Sequence, residues 1–518
     1  MILFVYEFVL KFAFAIVIVI GKWNHHQKLS RFITARRSSV RNKIIDQGHQ
    51  KFLELKQTSL ANGKSLTIIW FHVASAGELE QAIPVARSLH KTRNAHFILT
   101  YFSPEAEHFL NNFPAVLASF ALPVDCRATF DEIIKKFNIS HIIFVRYDLW
   151  PSLIFAAKKN KVMLSLISAT KNTARNRSRF SPDLIFKKFL LNQFNNICVV
   201  DSEDLEAFKL LKIKPKLFVS GDSKWARAKE RANETKMNGA STGLQRLFLY
   251  CNAQKFVMKR SVFVFGSPHE AETKIAQMFG EFKLKPFIIF VPHETNSAEI
   301  AKYAESFKQQ KFKCVTLSQW HSLLKAHDKA QESEALSSLH INHPPLKHSP
   351  KLDSSCGDSY WPVNATHQKP SDLESLEIDA AWPLHLLAEI DILLVDRIGL
   401  LAELYGFADV AVVGGGFDGQ LHNTLEPASH PVTTVFGNNI RRAAEARRLV
   451  SHHAALTFET PAEMFQFLTH CVKVEDDDAK GHETRHRAAA VKRHAYELFQ
   501  QIPDTSEIVS KALFTEPP

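Results

Sequence analysis

The chain has 518 residues, 45% of them hydrophobic and 23% charged, with a formal net charge of +11 and a pI near 9.2. That length exceeds what one compact core supports and implies two domains, and the composition excludes a disordered chain. The positive balance points to an anionic partner: nucleic acid, a membrane surface or a phosphorylated substrate. Cys126, Cys198, Cys251, Cys314, Cys356 and Cys471 are scattered with no CxxC pair. Neither a zinc site nor a disulfide framework is readable, and a reducing compartment fits.

The N-terminus "MILFVYEFVLKFAFAIVIVIGKW" is apolar over about the length that spans a bilayer. Glu7 and Lys11 interrupt it at i,i+4 spacing, where they can pair on one helix face. Lys22, Lys28, Arg31, Arg36, Arg37, Arg41 and Lys43 follow before the next acid, Asp46. Positive charge after the run places the remaining chain on the cytoplasmic side and suits anionic headgroups. Residues 1–21 therefore read as an uncleaved membrane anchor and 22–63 as a basic juxtamembrane segment.

From 64 to 225, short apolar runs alternate with helical patterns. The expected strands are "SLTIIWFHV", "AHFILTYF", "HIIFVRY", "KVMLSLIS", "NICVVD" and "KLFVSGD". Continuous apolar strands separated by helices predict a doubly wound parallel sheet. Residues 226–260, charged and polar, read as a linker. The rhythm restarts over 261–495 with "VFVFGS", "FIIFVP", "FKCVTL", "DILLVD", "VAVVGGG" and "TTVFG". Residues 321–380, rich in Ser, His and Pro without periodicity, read as a disordered insertion, and 496–518 as a tail.

In open α/β sheets ligands bind beyond the carboxyl ends of the strands, so the strand-to-helix turns are the places to look. "SAGE" combines small residues, Ser75, Ala76 and Gly77, with a carboxylate, Glu78. Glu78 either caps the helix or touches a substrate for which the small residues leave room. "RYDLWPS" offers Asp148 beside Trp150, which suits a sugar or a capped rigid turn. In the second half, "GSPHEAE" puts Ser267 and His269 at a helix start, and "VPHE" repeats the form with His293. "VVGGGFDGQLHNTLEPASH" is the strongest segment. Gly414, Gly415 and Gly416 would let backbone approach a phosphate, His422 and Asn423 follow on the loop, and Glu426 opens the next helix. No Gly-Lys-Ser/Thr closes this loop, so it is not a Walker site. The pattern suits a sugar nucleotide, with phosphate at a helix N-terminus and a carboxylate on the ribose.

At these residues the chain resembles the 3-deoxy-D-manno-oct-2-ulosonic acid (Kdo) transferases of lipopolysaccharide assembly. The family's Ser-x-Gly-Glu turn is matched by Ser75 to Glu78, and one branch is close to "GELEQ". "TYFSPEA" and "GDSKWAR", which contains Lys224, are similar to two further family segments. "GGGFDGQLHNTLEPA" matches the family's glycine-to-His-Asn-x-Leu-Glu-Pro-Ala block almost residue for residue. There are departures. Arg146-Tyr147-Asp148 stands where many members have Glu-Thr-Glu, Pro431-Val432-Thr433-Thr434 replaces Gly-Leu-Pro-Val, and His293 replaces a common Arg.

The resemblance implies two Rossmann-like domains facing a cleft, the GT-B glycosyltransferase architecture, with an N-terminal membrane-anchor helix. It implies transfer of Kdo from CMP-Kdo to a lipid A precursor at the inner membrane, inverting and metal-independent. No cofactor is expected, and CMP-Kdo is the donor substrate. Glu78 is the implied general base, with Ser75, Gly77 and Asp148 in the acceptor site. Lys224, Ser267, His269, His293, Gly414, Gly415, Gly416, His422, Asn423 and Glu426 are the expected nucleotide-sugar contacts. The rival readings are another sugar-nucleotide transferase or epimerase of this fold, and a non-catalytic, membrane-tethered lipid-binding relative. Nucleic acid is not an expected partner, because no basic-aromatic platform is present.

Overall fold

The computed structural model describes residues 6, 7, 10, 32–63, 65–123, 126–146, 148–171, 182–237, 244–326, 390–472 and 479–514. The chain forms two units: residues 1–237 with 496–518, and residues 238–495. Each is built on a seven-stranded sheet in which every pairing is parallel.

In the first unit the strands are β1 (Thr67–Val73), β2 (Ala95–Tyr101), β3 (Val116–Ala121), β4 (His141–Val145), β5 (Met163–Ala169), β6 (Asn196–Val199) and β7 (Lys216–Val219). Their spatial order is β3-β2-β1-β4-β5-β6-β7. Successive β1 side chains enter opposite layers: Trp70 packs with Phe120, Phe130 and Phe144, while Phe71 packs with Phe97, Leu79 and Phe113. With both faces covered, the strands need apolar residues at consecutive positions, which is why they read as continuous runs. The order reverses between β1 and β4, so the loops after these two strands diverge and leave a crevice.

The second unit repeats the plan with β8 (Val262–Gly266), β9 (Phe287–Val291), β10 (Cys314–Thr316), β11 (Ile392–Leu394), β12 (Val410–Val413), β13 (Thr433–Gly437) and β14 (Leu456–Phe458). The order is β10-β11-β9-β8-β12-β13-β14, with its switch point between β8 and β12. All the expected strands form. β3 and β14, which the apolar runs did not mark, are edge strands, and short edge strands need no long apolar run.

Three segments carry more structure than the sequence suggested. The expected linker 226–260 is mostly helical, Ser223–Met237 and Gln245–Phe256, and the unit boundary falls between them at 237/238. Its charges are paired rather than solvated: Arg227 Nε donates to Glu80 at 2.7 Å and its NH1 donates to Glu230 at 2.9 Å. Trp225, Ala228 and Ala232 are the buried stripe beneath them. The expected tail is also folded. Helix Thr505–Leu513 buries Val509, Ala512 and Leu513 in the layer that holds Leu79 and Ile83, and helix Ala479–Gln501 enters the first unit at Tyr496. The juxtamembrane segment contains helix Ser38–Ala61, which buries Ile45, Gly48 and Phe52. Gly48 lies against β3, where a Cβ would stand 2.6 Å from the Leu117 carbonyl oxygen.

The start of the expected insertion is helical to residue 326, and the rest, 327–380, lies outside the described residues. The anchor 1–21 also lies outside them, apart from residues 6, 7 and 10. Among the described residues no helix is long and apolar enough to cross a membrane. Glu7 accepts hydrogen bonds from the Arg127 backbone N–H at 3.0 Å and the Ser152 hydroxyl at 2.9 Å.

Candidate functional site

Both sheets carry candidate residues at their switch points. In the first unit β1 ends at Val73 and helix Ala76–Arg93 begins at once. Ser75 is its N-cap, with its hydroxyl accepting the Glu78 N–H at 3.4 Å. Capping is thus performed by Ser75, which frees the Glu78 side chain from that role. The Glu78 carboxylate turns back and accepts the Ala74 N–H at 2.6 Å. It is 5% exposed, and burial raises its pKa to about 7; the Ala74 N–H opposes this, Asp148 adds to it and Arg146 reduces it. Gly77 is exposed, and the nearest atom to a Cβ placed there is the Ser75 hydroxyl at 3.9 Å. Among the described residues no other atom lies within 4 Å of that Cβ, so packing does not require the lack of a side chain at Gly77.

Asp148, from the loop after β4, belongs to a network that the sequence did not reveal. Its Oδ2 faces His72 Nε2 at 3.2 Å and accepts the Trp150 indole N–H at 2.9 Å. His72 Nδ1 lies 3.0 Å from the Thr100 hydroxyl oxygen, which also accepts the Trp70 indole N–H at 2.9 Å. Burial alone would raise the Asp148 pKa; the bonds from His72 and Trp150 outweigh it and leave it lowered. Two carboxyls of one crevice are therefore pushed in opposite directions, which marks separate roles. The signal for His72 was a histidine inside an apolar strand, where a polar side chain needs a partner.

Arg146 extends this crevice. Its Nε donates to Gln81 at 2.8 Å and its NH2 donates to Asp222 at 3.4 Å, while Asp222 Oδ1 accepts the Lys224 N–H at 3.0 Å. Lys224 therefore stands in the first unit with Glu78, and the other expected nucleotide contacts stand in the second. Arg146 (φ +64°) and Ser168 (φ +53°) adopt left-handed backbone. Such conformations cost about 1 kcal/mol or more each and persist where surrounding structure fixes a site.

In the second unit Ser267 follows β8, is buried and is also left-handed, at φ +48°. His269 caps helix Glu270–Met278, its N–H donating to Glu272 at 3.0 Å. Its Nδ1 lies 2.5 Å from Asp418 Oδ2 and its Nε2 lies 3.1 Å from His422 Nε2. The His422 ring centroid is 5.2 Å from that of His269 and 4.9 Å from that of His293. Burial first, then His293 and His269, lower the His422 pKa to about 4. Asp418 was missed because it lies between the glycine run and the His-Asn pair without a motif of its own. Asn423 is exposed, with Oδ1 accepting the Leu425 N–H at 3.1 Å, and Glu426 is half-buried on the short helix Leu425–Ala428.

The glycine run has a packing role that the sequence did not show. A Cβ on Gly414 would lie 1.9 Å from the Ser267 carbonyl oxygen, and one on Gly416 would lie 2.4 Å from the Gly437 nitrogen. Gly415 has φ +79°, with the Gln420 carbonyl oxygen 2.3 Å from its would-be Cβ. These glycines allow protein backbone to meet protein backbone, so packing requires glycine at all three positions. Among the described residues no group of three or more His, Cys, Asp and Glu side chains could hold a metal ion.

Residues 46–227 match the family described as 3-deoxy-D-manno-octulosonic-acid transferase (kdotransferase). The chain is similar to the 3-deoxy-D-manno-octulosonic acid transferase of Rickettsia prowazekii, with 22% identity over 81% of this chain and 75% of that one. It is similar to the Aquifex aeolicus enzyme of the same name, with 24% identity over 81% of this chain and 89% of the other. Among solved structures, a UDP-GlcNAc 2-epimerase from Neisseria meningitidis covers 86% of this chain and 99% of its own, at 10% identity and a TM-score of 0.47. The chain thus resembles the Kdo transferases over most of its length.

Proposed function

We propose that this relative of the Kdo transferases moves Kdo from CMP-Kdo onto a hydroxyl of a lipid A precursor, with Glu78 as general base. One observation carries the reading: Glu78 is a buried carboxylate with a pKa of about 7, beneath an open turn at the switch point of the first sheet. A base works best when its pKa lies near the operating pH, since it is then both available and strong enough. As the anomeric carbon of the donor becomes cation-like, the acceptor oxygen bonds to it from the face opposite the leaving phosphate. The acceptor proton passes to a Glu78 carboxylate oxygen. The donor phosphate departs with its electron pair, and the configuration inverts.

Ser75 and Gly77 leave room for the acceptor sugar, and Asp148, held by His72 and Trp150, offers it a fixed carboxylate. Lys224, Ser267, His269, His293, His422, Asn423, Glu426 and the Gly414–Gly416 loop are assigned to the nucleotide sugar. The apolar run 1–21 and the basic residues after it support residence at the cytoplasmic face of the inner membrane, against anionic lipid. No metal or cofactor is assigned a role.

The test is Kdo transfer by membranes carrying the full chain, supplied with CMP-Kdo and a tetra-acylated lipid A precursor. Wild type is expected to transfer Kdo, and Glu78→Ala to lose at least about a hundredfold in rate, the usual contribution of a positioned base. Failure of the wild type refutes the transferase reading. Equal rates refute the assignment of Glu78.

A further inference from the structure

The histidines of the second unit pose a charge problem. At neutral imidazole the cluster carries only the negative charge of Asp418, yet the proposed donor brings an anionic phosphate. Among the described residues Asp418 pairs with His269 and with no lysine or arginine. The other acids of the surrounding elements are committed elsewhere. Glu272 accepts the His269 backbone N–H at 3.0 Å, Glu270 pairs with Lys274 at 2.6 Å, and Glu294 accepts the Asn296 amide at 3.1 Å.

The bonding of His269 limits the protons. Its Nδ1–H donates to Asp418, so in the neutral ring Nε2 is bare. The facing His422 Nε2, 3.1 Å away, then supplies the single proton that fits between the two rings. A phosphate oxygen entering at this point accepts from both Nε2 atoms only if His269 gains a second proton.

We infer that His269, His293 and His422 form a proton-coupled phosphate site, in which binding the donor's phosphate draws one proton from solvent onto His269. The protonated ring then lies between the Asp418 carboxylate and the bound phosphate, and opposite charges on both sides hold it charged. His422 donates its own Nε2–H to the same phosphate, and His293 lies beside the His422 ring, with 4.9 Å between ring centroids. The low His422 pKa agrees with this division, since it leaves His422 a neutral donor and His269 the proton acceptor. The inference rests on the second unit being the donor site.

The experiment is calorimetric titration of the full chain with cytidine 5′-(methyl phosphate), a diester whose phosphate stays a monoanion and does not titrate near neutral pH. If one proton is taken up on binding, affinity weakens towards tenfold for each unit by which pH rises. The binding enthalpy should change with the buffer's ionisation enthalpy by an amount equal to one proton. His269→Gln should bind more weakly at pH 6 and lose the pH dependence. Affinity that stays flat with pH and enthalpy that ignores the buffer overturn the inference and leave the donor site standing. No binding at any pH overturns both. A slope that persists in folded His269→Gln overturns the assignment to that ring. If this variant does not fold, the wild-type buffer series decides alone.

Discussion

Replacing Glu78 by glutamine should make the protein more stable at pH 8 while disabling it. The side chain is 5% exposed, and burial raises its pKa from 4.5 to about 7. The folded-state pKa lies above the unfolded one, so the protonated form is favoured in the folded chain. Stability from this group is complete below about pH 4.5 and declines as pH rises through about 7. At about 1.4 kcal/mol per pKa unit, keeping Glu78 ionised at pH 8 costs the fold about 3 kcal/mol, against under about 1 kcal/mol at pH 5. Glutamine has no such cost, and its carbonyl can still accept the Ala74 N–H. Denaturant unfolding of wild type and Glu78→Gln at both pH values measures the difference. The variant should gain about 2 to 3 kcal/mol in the first unit's transition at pH 8 relative to pH 5. A difference that is the same at both values refutes the claim that Glu78 is a buried, ionising carboxylate.

Transfer activity, read as kcat at saturating CMP-Kdo, should rise with pH through about 7 as Glu78 becomes a base, and a kcat flat from pH 5 to 8 would remove it from that role. Asp148→Asn removes a charge that raises the Glu78 pKa, so this limb should move to lower pH; movement to higher pH contradicts the coupling. Gly414→Ala places a methyl 1.9 Å from the Ser267 carbonyl oxygen. It should destabilise the second unit by at least about 2 kcal/mol in a thermal melt, and a neutral result would show that the backbone can shift. Deleting residues 504–518 uncovers the layer closed by Val509, Ala512 and Leu513. The loss should be about 4 kcal/mol in the first unit, measured by denaturant unfolding, and an unchanged midpoint would return this segment to the status of a tail.

The architecture was legible in the sequence because parallel strands covered on both faces must be apolar at every position. "TIIWFHV", "HIIFV" and "FIIFV" state this directly, whereas the edge strands "VLASFA" and "LTF" do not. The helix Ser223–Met237 was hidden because Arg227 and Glu230 look solvent-facing in one dimension, and only the fold shows Glu80 beside them. Helix Thr505–Leu513 was hidden for a related reason, since its chief partner, helix Ala76–Arg93, lies more than four hundred residues away in sequence.

The same division holds at the candidate site. The sequence by itself placed Glu78, Asp148, His269 and the Gly414–Gly416 loop on strand-to-helix turns, because local order and composition define such turns. Only the tertiary structure decided what they face. It handed the capping role to Ser75, bound Asp148 to a buried histidine from β1, and brought Asp418 and three histidines from separate loops together. It also showed that the glycine run makes room for Ser267, Gln420 and Gly437. Burial, proton sharing and backbone approach depend on distances between residues far apart in the chain. Those distances are set by strand order, which no single turn encodes.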